Sequence, residues 1–478
     1  MNYNEAVSLY QKSPTSETLK EVCRQLCSEL TLREKLKMLS GRQFAQRNCY
    51  DLITKGKKYN HRPCLAGGVK RLGIPAIAFS DGPRGVVMGN STCFPVSMAR
   101  GATFNDDLEY EVGTAIAKEA IAGDANYFAG ICINLLRNPR WGRAQETYGE
   151  DPFLLGKMGA ALTRAVQDNG VIACPKHFAC NSIENIRFSV DVHADEKTLQ
   201  EVYFPHFKKC IDAGAMSIMG AYNLLRGEHC CESRYLLTDV LRGQWHFEGF
   251  AITDFLFALR NGEKAIKAGM DVEMPMKILY TALPIYLKSG KISQRDIDTA
   301  VRNVLAGLIK ITPKIERQSK DVIACKAHAM LAKKVACEGT VLLKNNGILP
   351  LKNIKKIAVV GRYANKINVG DHGSSSVASP YTVTPYEGLC NAFGKENVVL
   401  CESLDISSRL DEIKDCSCVL ICVGSDYKQE GENLANFSSN DDAAEKVHGG
   451  DRYSLRIPSN EVALIHRICA NCENTIVD

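Results

Sequence analysis

The chain has 478 residues, 45% of them hydrophobic and 24% charged, with a formal net charge of +5 at pH 7. That length predicts two to three domains, two if one of them is a barrel of about 250 residues, and the interspersed charges form no basic stripe of the kind that binds nucleic acid. Residues 1–15 are polar with no apolar core, so neither a secretory signal nor a membrane span is expected there, and the expected location is cytoplasmic.

Residues 16–40 carry helical apolar spacing through Leu19, Val22, Leu26, Leu30, Leu36 and Leu39, which predicts a scaffold helix packed outside the main body. The run Ile74 to Phe79 then ends in Ser80-Asp81-Gly82-Pro83, where Gly and Pro demand a tight turn. A helix is predicted over 106–123. It is followed by the run Ile131 to Leu136, which leads into Arg137 to Arg143. Val171 to Pro175 leads into Lys176-His177, and Met216 to Ala221 into Tyr222-Asn223, with an amphipathic helix expected over 196–213 between them. The stretch Glu248 to Phe255 places Asp254 at the end of another short apolar run, and Met270 to Pro275 is one strand more. Ser293 and Asp296 form a capping-box pattern that opens a helix to about residue 310.

Short apolar runs alternating with helices build a parallel sheet, closed or open. In a closed barrel the outgoing strand ends converge on one face, so Asp81, Arg143, Lys176, His177, Tyr222 and Asp254 would share a pocket. Each has a plainer reading: Asp254 as a helix N-cap, Asp81 as a turn residue, Arg143 as a surface charge, His177 as a satisfied core histidine. Their recurrence at strand ends favours the shared pocket.

Residues 1–312 are read as this barrel, 313–325 as a linker opened by Thr312-Pro313, and 326–478 as a second α/β domain. In the second domain a helix is expected over 327–345, and strands at Ile357 to Gly361 and Cys418 to Gly424. Gly361-Arg362-Tyr363-Ala364-Asn365 does not match G-x-G-x-x-G, so no nucleotide cofactor is expected. The polar stretch between Gly431 and Gly450 reads as a mobile loop. Twenty cysteines, about 4% of the chain, fall short of a disulfide scaffold; Cys132, Cys174, Cys210 and Cys422 read as small buried hydrophobes. Cys469-x-x-Cys472 has no second pair at zinc spacing, and no metal is expected.

Several blocks together resemble glycoside hydrolase family 3, which includes many β-glucosidases and β-xylosidases. They are Asp81-Gly82-Pro83, Trp141-Gly142-Arg143, Glu146 with Gly149 to Pro152, and Lys176-His177-Phe178 with Asn181, Glu184 and Arg187. Further along are Glu201 to Tyr203, Met219 to Asn223, Trp245, Gly249-Phe250 and Thr253-Asp254, then Val341 to Asn345, Leu349 to Leu351 and, in the expected second domain, Gly373-Ser374. The resemblance implies a TIM-type (β/α) barrel followed by a three-layer α/β sandwich. It implies Asp254 as nucleophile and Asp81, Arg143, Lys176, His177, Arg187, Tyr222 and Ser374 as substrate-binding residues, with Phe255 where the family often has Trp. His246 replaces the usual Gly after Trp245, and Phe178-Ala179-Cys180 departs from the pattern of the N-acetylglucosaminidase branch. The family's acid pattern, Glu-Gly-x-Asp-Arg, is split here: Glu430-Gly431 precedes the polar stretch and Asp451-Arg452 follows it. That makes Glu430 the expected acid/base and Glu432 the runner-up, unless both are solvated loop acids.

The expected activity is that of an exo-acting retaining β-glycosidase on a small or oligosaccharide β-glycoside. One carboxylate attacks while a second carboxylic acid about 5–5.5 Å away protonates the leaving oxygen, with no metal or other cofactor. The rival readings are a sugar-binding pseudoenzyme and, more weakly, a phosphorylase. Family members continue beyond the position of Asp478, so the sandwich reads as C-terminally incomplete. An open sheet edge there predicts self-association or a covering partner.

Overall fold

The structure, a computed structural model, describes residues 1–42, 61–352, 354–370, 373–433 and 450–478. It divides into two compact units, residues 1–340 with Gly373–Ser379, and residues 341–372 with 380–478.

In the first unit the backbone closes on itself. Strand β1 (Cys64–Val69) runs antiparallel to β2 (Ile74–Asp81), and β2 pairs in parallel with β3 (Tyr127–Cys132), which pairs in parallel with β4 (Ile172–Lys176). The next pair, β5 (Ser217–Met219) and β6 (Phe250–Ile252), is also parallel. Phe178 joins the two sets, its N–H donating to Met219 O at 2.7 Å and its carbonyl accepting from Ala221 N at 2.9 Å. On the far side Ile252 bridges Val272, Glu273 bridges Ser40, and Gly41 bridges Ala66 in β1, which completes the ring. The barrel is closed, and β2 to β6 end on one face.

The amphipathic pattern of residues 16–40 yields two helices, Ser16–Ser28 and Leu32–Met38, followed by the segment that closes the ring between Glu273 and β1. This stretch is therefore scaffold and wall at once. Leu19, Val22 and Leu26 are buried in the main core. The helix expected over 196–213 is broken: Phe204 N donates to Leu199 O, a widened turn, and Pro205 starts a fresh helix Pro205–Asp212, because a proline supplies no N–H for the preceding turn. The helix Gln294–Ile311 opens on Ser293 with the expected reciprocal bonds to Asp296. The third strand starts at Tyr127, earlier than the apolar run beginning at Ile131 indicates.

The unit boundary falls after Thr340 instead of within 313–325, and the helix Lys326–Gly339 lies in the first unit. Its approach is fixed by Glu119, buried in the helix Asp106–Ala122, which accepts from Ala324 N at 3.0 Å and pairs with His328 Nδ1 at 2.7 Å. Gly373–Ser379 likewise belongs to the first unit, not to the second as expected: Arg84 Nη2 donates to Ser375 O at 2.9 Å and Ser91 N to Ala378 O at 3.1 Å.

The second unit is a parallel sheet in the order β8 (Val398–Cys401), β7 (Ile357–Val360), β9 (Cys418–Ile421), β10 (Thr475–Val477). Alternation along β7 sends Ile357 and Val359 to one face, where Leu389 and Phe393 of the helix Pro385–Phe393 pack. Ala358 and Val360 go to the other, against Ile413, Leu464 and Ile468. Helix, sheet and helix make three layers. Among the described residues no helix is long and apolar enough to cross a membrane. Cys132, Cys174, Cys210 and Cys422 are buried, and burial pushes their thiols up to about 12, so they are inert packing groups.

Candidate active site

The polar residues of the first unit meet at the outgoing ends of β2 to β6. Asp81 is the last residue of β2, and the turn after it needs glycine: Gly82 has φ +124°, and a Cβ there would lie 1.9 Å from Gly85 O. Lys176 ends β4, and its Nζ donates to Asp81 Oδ1 at 2.6 Å with both side chains buried. Burial disfavours the ammonium, but the Asp81 carboxylate together with Glu146 more than offsets it, and Lys176 is raised above its ordinary value. Asp81 Oδ1 also accepts from Gly82 N at 3.0 Å, so it serves turn and pocket together.

Arg143, 1% exposed, is no surface charge. Its Nε and Nη2 fork onto Glu146 Oε1 and Oε2 at 2.9 and 2.8 Å, its Nη1 lies 3.2 Å from His177 Nε2, and Nη2 donates to Ser374 Oγ at 3.5 Å. Ser374 therefore joins this cluster from within the first unit.

The state of His177 follows from Asn134, two residues beyond the end of β3. Asn134 Nδ2 donates to His177 O, and its Oδ1 accepts from His177 N, each at 2.8 Å. These backbone contacts fix which end of the amide is oxygen. Since Oδ1 also lies 2.8 Å from His177 Nδ1, Nδ1 must carry the proton and Nε2 the lone pair that accepts from Arg143. Burial, then Arg143, Lys176 and Arg187, hold the imidazole well below its ordinary value. His177 is thus neutral, with Nε2 3.4 Å from Asp254 Oδ2.

Asp254 follows β6 and is buried. Its Oδ1 accepts from Phe255 N at 2.7 Å, and the next helix, Gly262–Ala268, is capped by Asn261, so the N-cap reading of Asp254 does not hold. The Phe255 ring packs 4.7 Å from Phe79, and the Tyr222 hydroxyl donates to Phe255 O. Arg187 stacks 4.8 Å over the Tyr222 ring and donates from Nη1 to Glu184 Oε2 at 3.1 Å. Trp141 Nε1 donates to the other Glu184 oxygen at 3.1 Å. The first unit thus brings together Asp81, Arg143, Lys176, His177, Arg187, Tyr222, Asp254, Phe255 and Ser374.

Residue-level reading missed Asn134 as a site residue and gave no role to Glu146 or Glu184. Asn134 falls inside the apolar run Ile131 to Leu136, and only the strand end at Cys132 puts it at the offset that marks Asp254. The two glutamates lie three residues from the arginines they hold, and that spacing is too common to single them out.

In the second unit the split acid pattern is rejoined. Gly431 and Gly450 pair as an antiparallel bridge, with N···O distances of 3.3 and 2.8 Å. That brings Arg452 Nη1 to 3.4 Å from Glu430 Oε2, while Arg452 Nη2 donates to Ser425 Oγ at 2.9 Å. Of the mobile loop expected between Gly431 and Gly450, residues 434–449 lie outside the described residues. Glu430 is partly exposed and Glu432 buried. Both follow β9, whose outgoing end lies beside that of β7 where the strand order reverses, the usual ligand crevice of an open parallel sheet. Neither is a freely solvated loop acid. Among the described residues no cluster of His, Cys, Asp and Glu has the makings of a metal site.

Residues 53–306 match the Glycosyl hydrolase family 3 N terminal domain, and residues 340–478 match the Glycosyl hydrolase family 3 C-terminal domain. The chain belongs to glycosyl hydrolase family 3. It is 33% identical over 473 residues to the thermostable beta-glucosidase B of Acetivibrio thermocellus, an alignment covering 95% of this chain and 59% of that protein. It is 34% identical over 386 residues to beta-glucosidase B of Emericella nidulans, covering 77% of this chain and 43% of the other. Among solved family 3 structures, the Bifidobacterium adolescentis beta-glucosidase superposes with a TM-score of 0.79 at 29% identity, covering 94% of this chain and 63% of that one. Beta-glucosidase 3B of Thermotoga neapolitana gives 0.77 at 28% identity over 86% and 63%. This chain therefore spans less than two thirds of the length of these relatives, and its fold is the family's TIM-type barrel with an α/β sandwich unit.

Proposed function

We propose that this family 3 chain serves an exo-acting, retaining β-glycosidase that removes a terminal glucose-like sugar from the non-reducing end of a β-glycoside. The observation that carries this reading is the setting of Asp254: a buried carboxylate at a barrel strand end, beside a neutral His177 and ringed by paired cations. A polyol needs donors and acceptors in fixed directions. Asp81 with Lys176, and Arg143 with Glu146, offer both, and because each charge is already paired the pocket holds them without net repulsion. The relatives named above are beta-glucosidases, which points to glucosides as the substrate class.

In the proposed mechanism an Asp254 oxygen attacks the anomeric carbon as the bond to the leaving oxygen breaks, and Glu430 gives that oxygen its proton. Glu432 is the alternative donor. The resulting glycosyl ester is then hydrolysed by a water whose proton returns to the same glutamate, restoring the β configuration. The neutral His177 matters here. A protonated imidazole 3.4 Å from Asp254 would compete for the electron pair the carboxylate must deliver.

The test is hydrolysis of an aryl β-glucoside with the product anomer followed by NMR, in the wild type and in Asp254→Ala. Retention with loss of turnover in a folded variant is expected. Inversion, or an unaffected variant, overturns the reading, and saturable sugar binding without turnover replaces it with a binding protein.

A further inference from the structure

At the opposite end of β6 from Asp254, where the chain enters the strand, the first unit holds a cavity of about 310 Å³. It lies between the helices Ser16–Ser28 and Gln294–Ile311 and the residues 242–248, and none of the groups described in the candidate active site contributes to it. Three cations line it, Lys20, Arg242 and Arg302, together with His246.

The cations are not spent on carboxylates in proportion. Arg302 donates only to Asp298 O and Thr299 Oγ1, each at 3.1 Å, and among the described residues neither it nor Lys20 has an ion-pair partner. Arg242 is paired with Asp271 at 2.6 Å, yet its buried Nε has no hydrogen-bond partner. The one acid in the lining, Glu248, is engaged by Ser16 and by Lys310 Nζ at 3.4 Å. The cavity is therefore net positive. Its lining also includes Leu19 and Phe247, the latter 5.6 Å under the Arg242 guanidinium, so apolar as well as basic side chains border it.

A second observation comes from the backbone. His246 stands at the cavity with φ +55°, in the left-handed region that favours glycine. The turn after Tyr235–Gln244 thereby places an imidazole, which can donate a hydrogen bond to an anion, in the cavity lining.

We propose that this cavity binds a small phosphate-type oxyanion, held by Lys20, Arg302 and His246, with Phe247 and Leu19 flanking any organic group it carries. A cavity of this size is at the small end for ligand pockets, which run from about 300 Å³ upward, and exceeds what bare phosphate needs.

The experiment is titration calorimetry on the full chain with inorganic phosphate and with glycerol 3-phosphate, chosen because it has no pyranose ring to occupy the sugar pocket. Ionic strength is matched with chloride. One saturable equivalent is expected, weakened at least tenfold in Lys20→Gln/Arg302→Gln, with aryl β-glucosidase turnover in the absence of phosphate unchanged. Equal affinity for the two anions identifies free phosphate as the ligand, and tighter binding of glycerol 3-phosphate identifies an organic phosphate. Absence of saturable heat with both, or the same affinity in the double variant, overturns the proposal. Should the double variant fail to fold, Lys20→Glu, an exposed substitution, and His246→Gly, which relieves the backbone, each provide the comparison, and unchanged affinity in both is equally decisive against it.

Discussion

Replacing Asp81 with Asn removes one charge and little else, because the new amide oxygen can still accept from Gly82 N, which Asp81 Oδ1 now does at 3.0 Å. What is lost is the partner of Lys176, whose Nζ lies 2.6 Å from Asp81 Oδ1 with side chains only 2% and 7% exposed. At an effective dielectric of 20 that separation corresponds to about 6 kcal/mol of attraction, much of it offset by the desolvation of both ions. Stranding the ammonium should cost about 3–5 kcal/mol. Removing both charges, as in Asp81→Asn/Lys176→Met, should cost less than the sum of the two single changes by about 2 kcal/mol, since the second substitution removes the charge that the first one stranded. Urea unfolding followed by fluorescence measures all four corners of the cycle. A loss below about 1 kcal/mol for Asp81→Asn, with the two changes additive within about 0.5 kcal/mol, would show that the pair is not a coupled buried ion pair and would refute the reasoning.

Glu430→Ala should slow hydrolysis of glucosides with poor leaving groups by about 10²–10⁴-fold and of those with good ones far less, since only the former need a proton in the transition state; azide should restore turnover as a β-glycosyl azide. Equal losses without rescue would transfer the role to Glu432. Acid sensitivity should centre partly on His206, a buried histidine packed 4.8 Å from the Phe207 ring, whose imidazole burial lowers to about 3. The unfolded chain takes up that proton below about pH 6.5 and the folded chain does not, so stability is full above that pH and falls by about 1.4 kcal/mol per pH unit as pH drops toward 3. Urea midpoints at pH 6.5, 5.5 and 4.5 should therefore fall less steeply in His206→Leu, and identical slopes would remove His206 from the account.

The sequence by itself determined the alternation of strands and helices, the capped start of the helix at Ser293, and the polar residues that close each apolar run. These are local properties. Hydrophobic period, cap chemistry and turn residues act within a few positions of one another, so Asp81, Lys176 and Asp254 could be placed at strand ends before their neighbours were known. The ordered blocks around Lys176-His177 and Thr253-Asp254 carried the family as well. Tertiary structure alone decided whether the sheet closed, because closure rests on hydrogen bonds between Leu39–Arg42 and both Glu273 and β1, and a helical apolar pattern ahead of that segment gives no sign of them. It also decided that Ser374 and the helix Lys326–Gly339 belong with the first unit, through Arg84, Arg143 and Glu119, side chains remote in sequence. The charge of His177 lay further still from sequence reading. Burial, three cations and the amide of Asn134 set it together, and a protonation state determined by everything packed around a group exists only once the chain has folded.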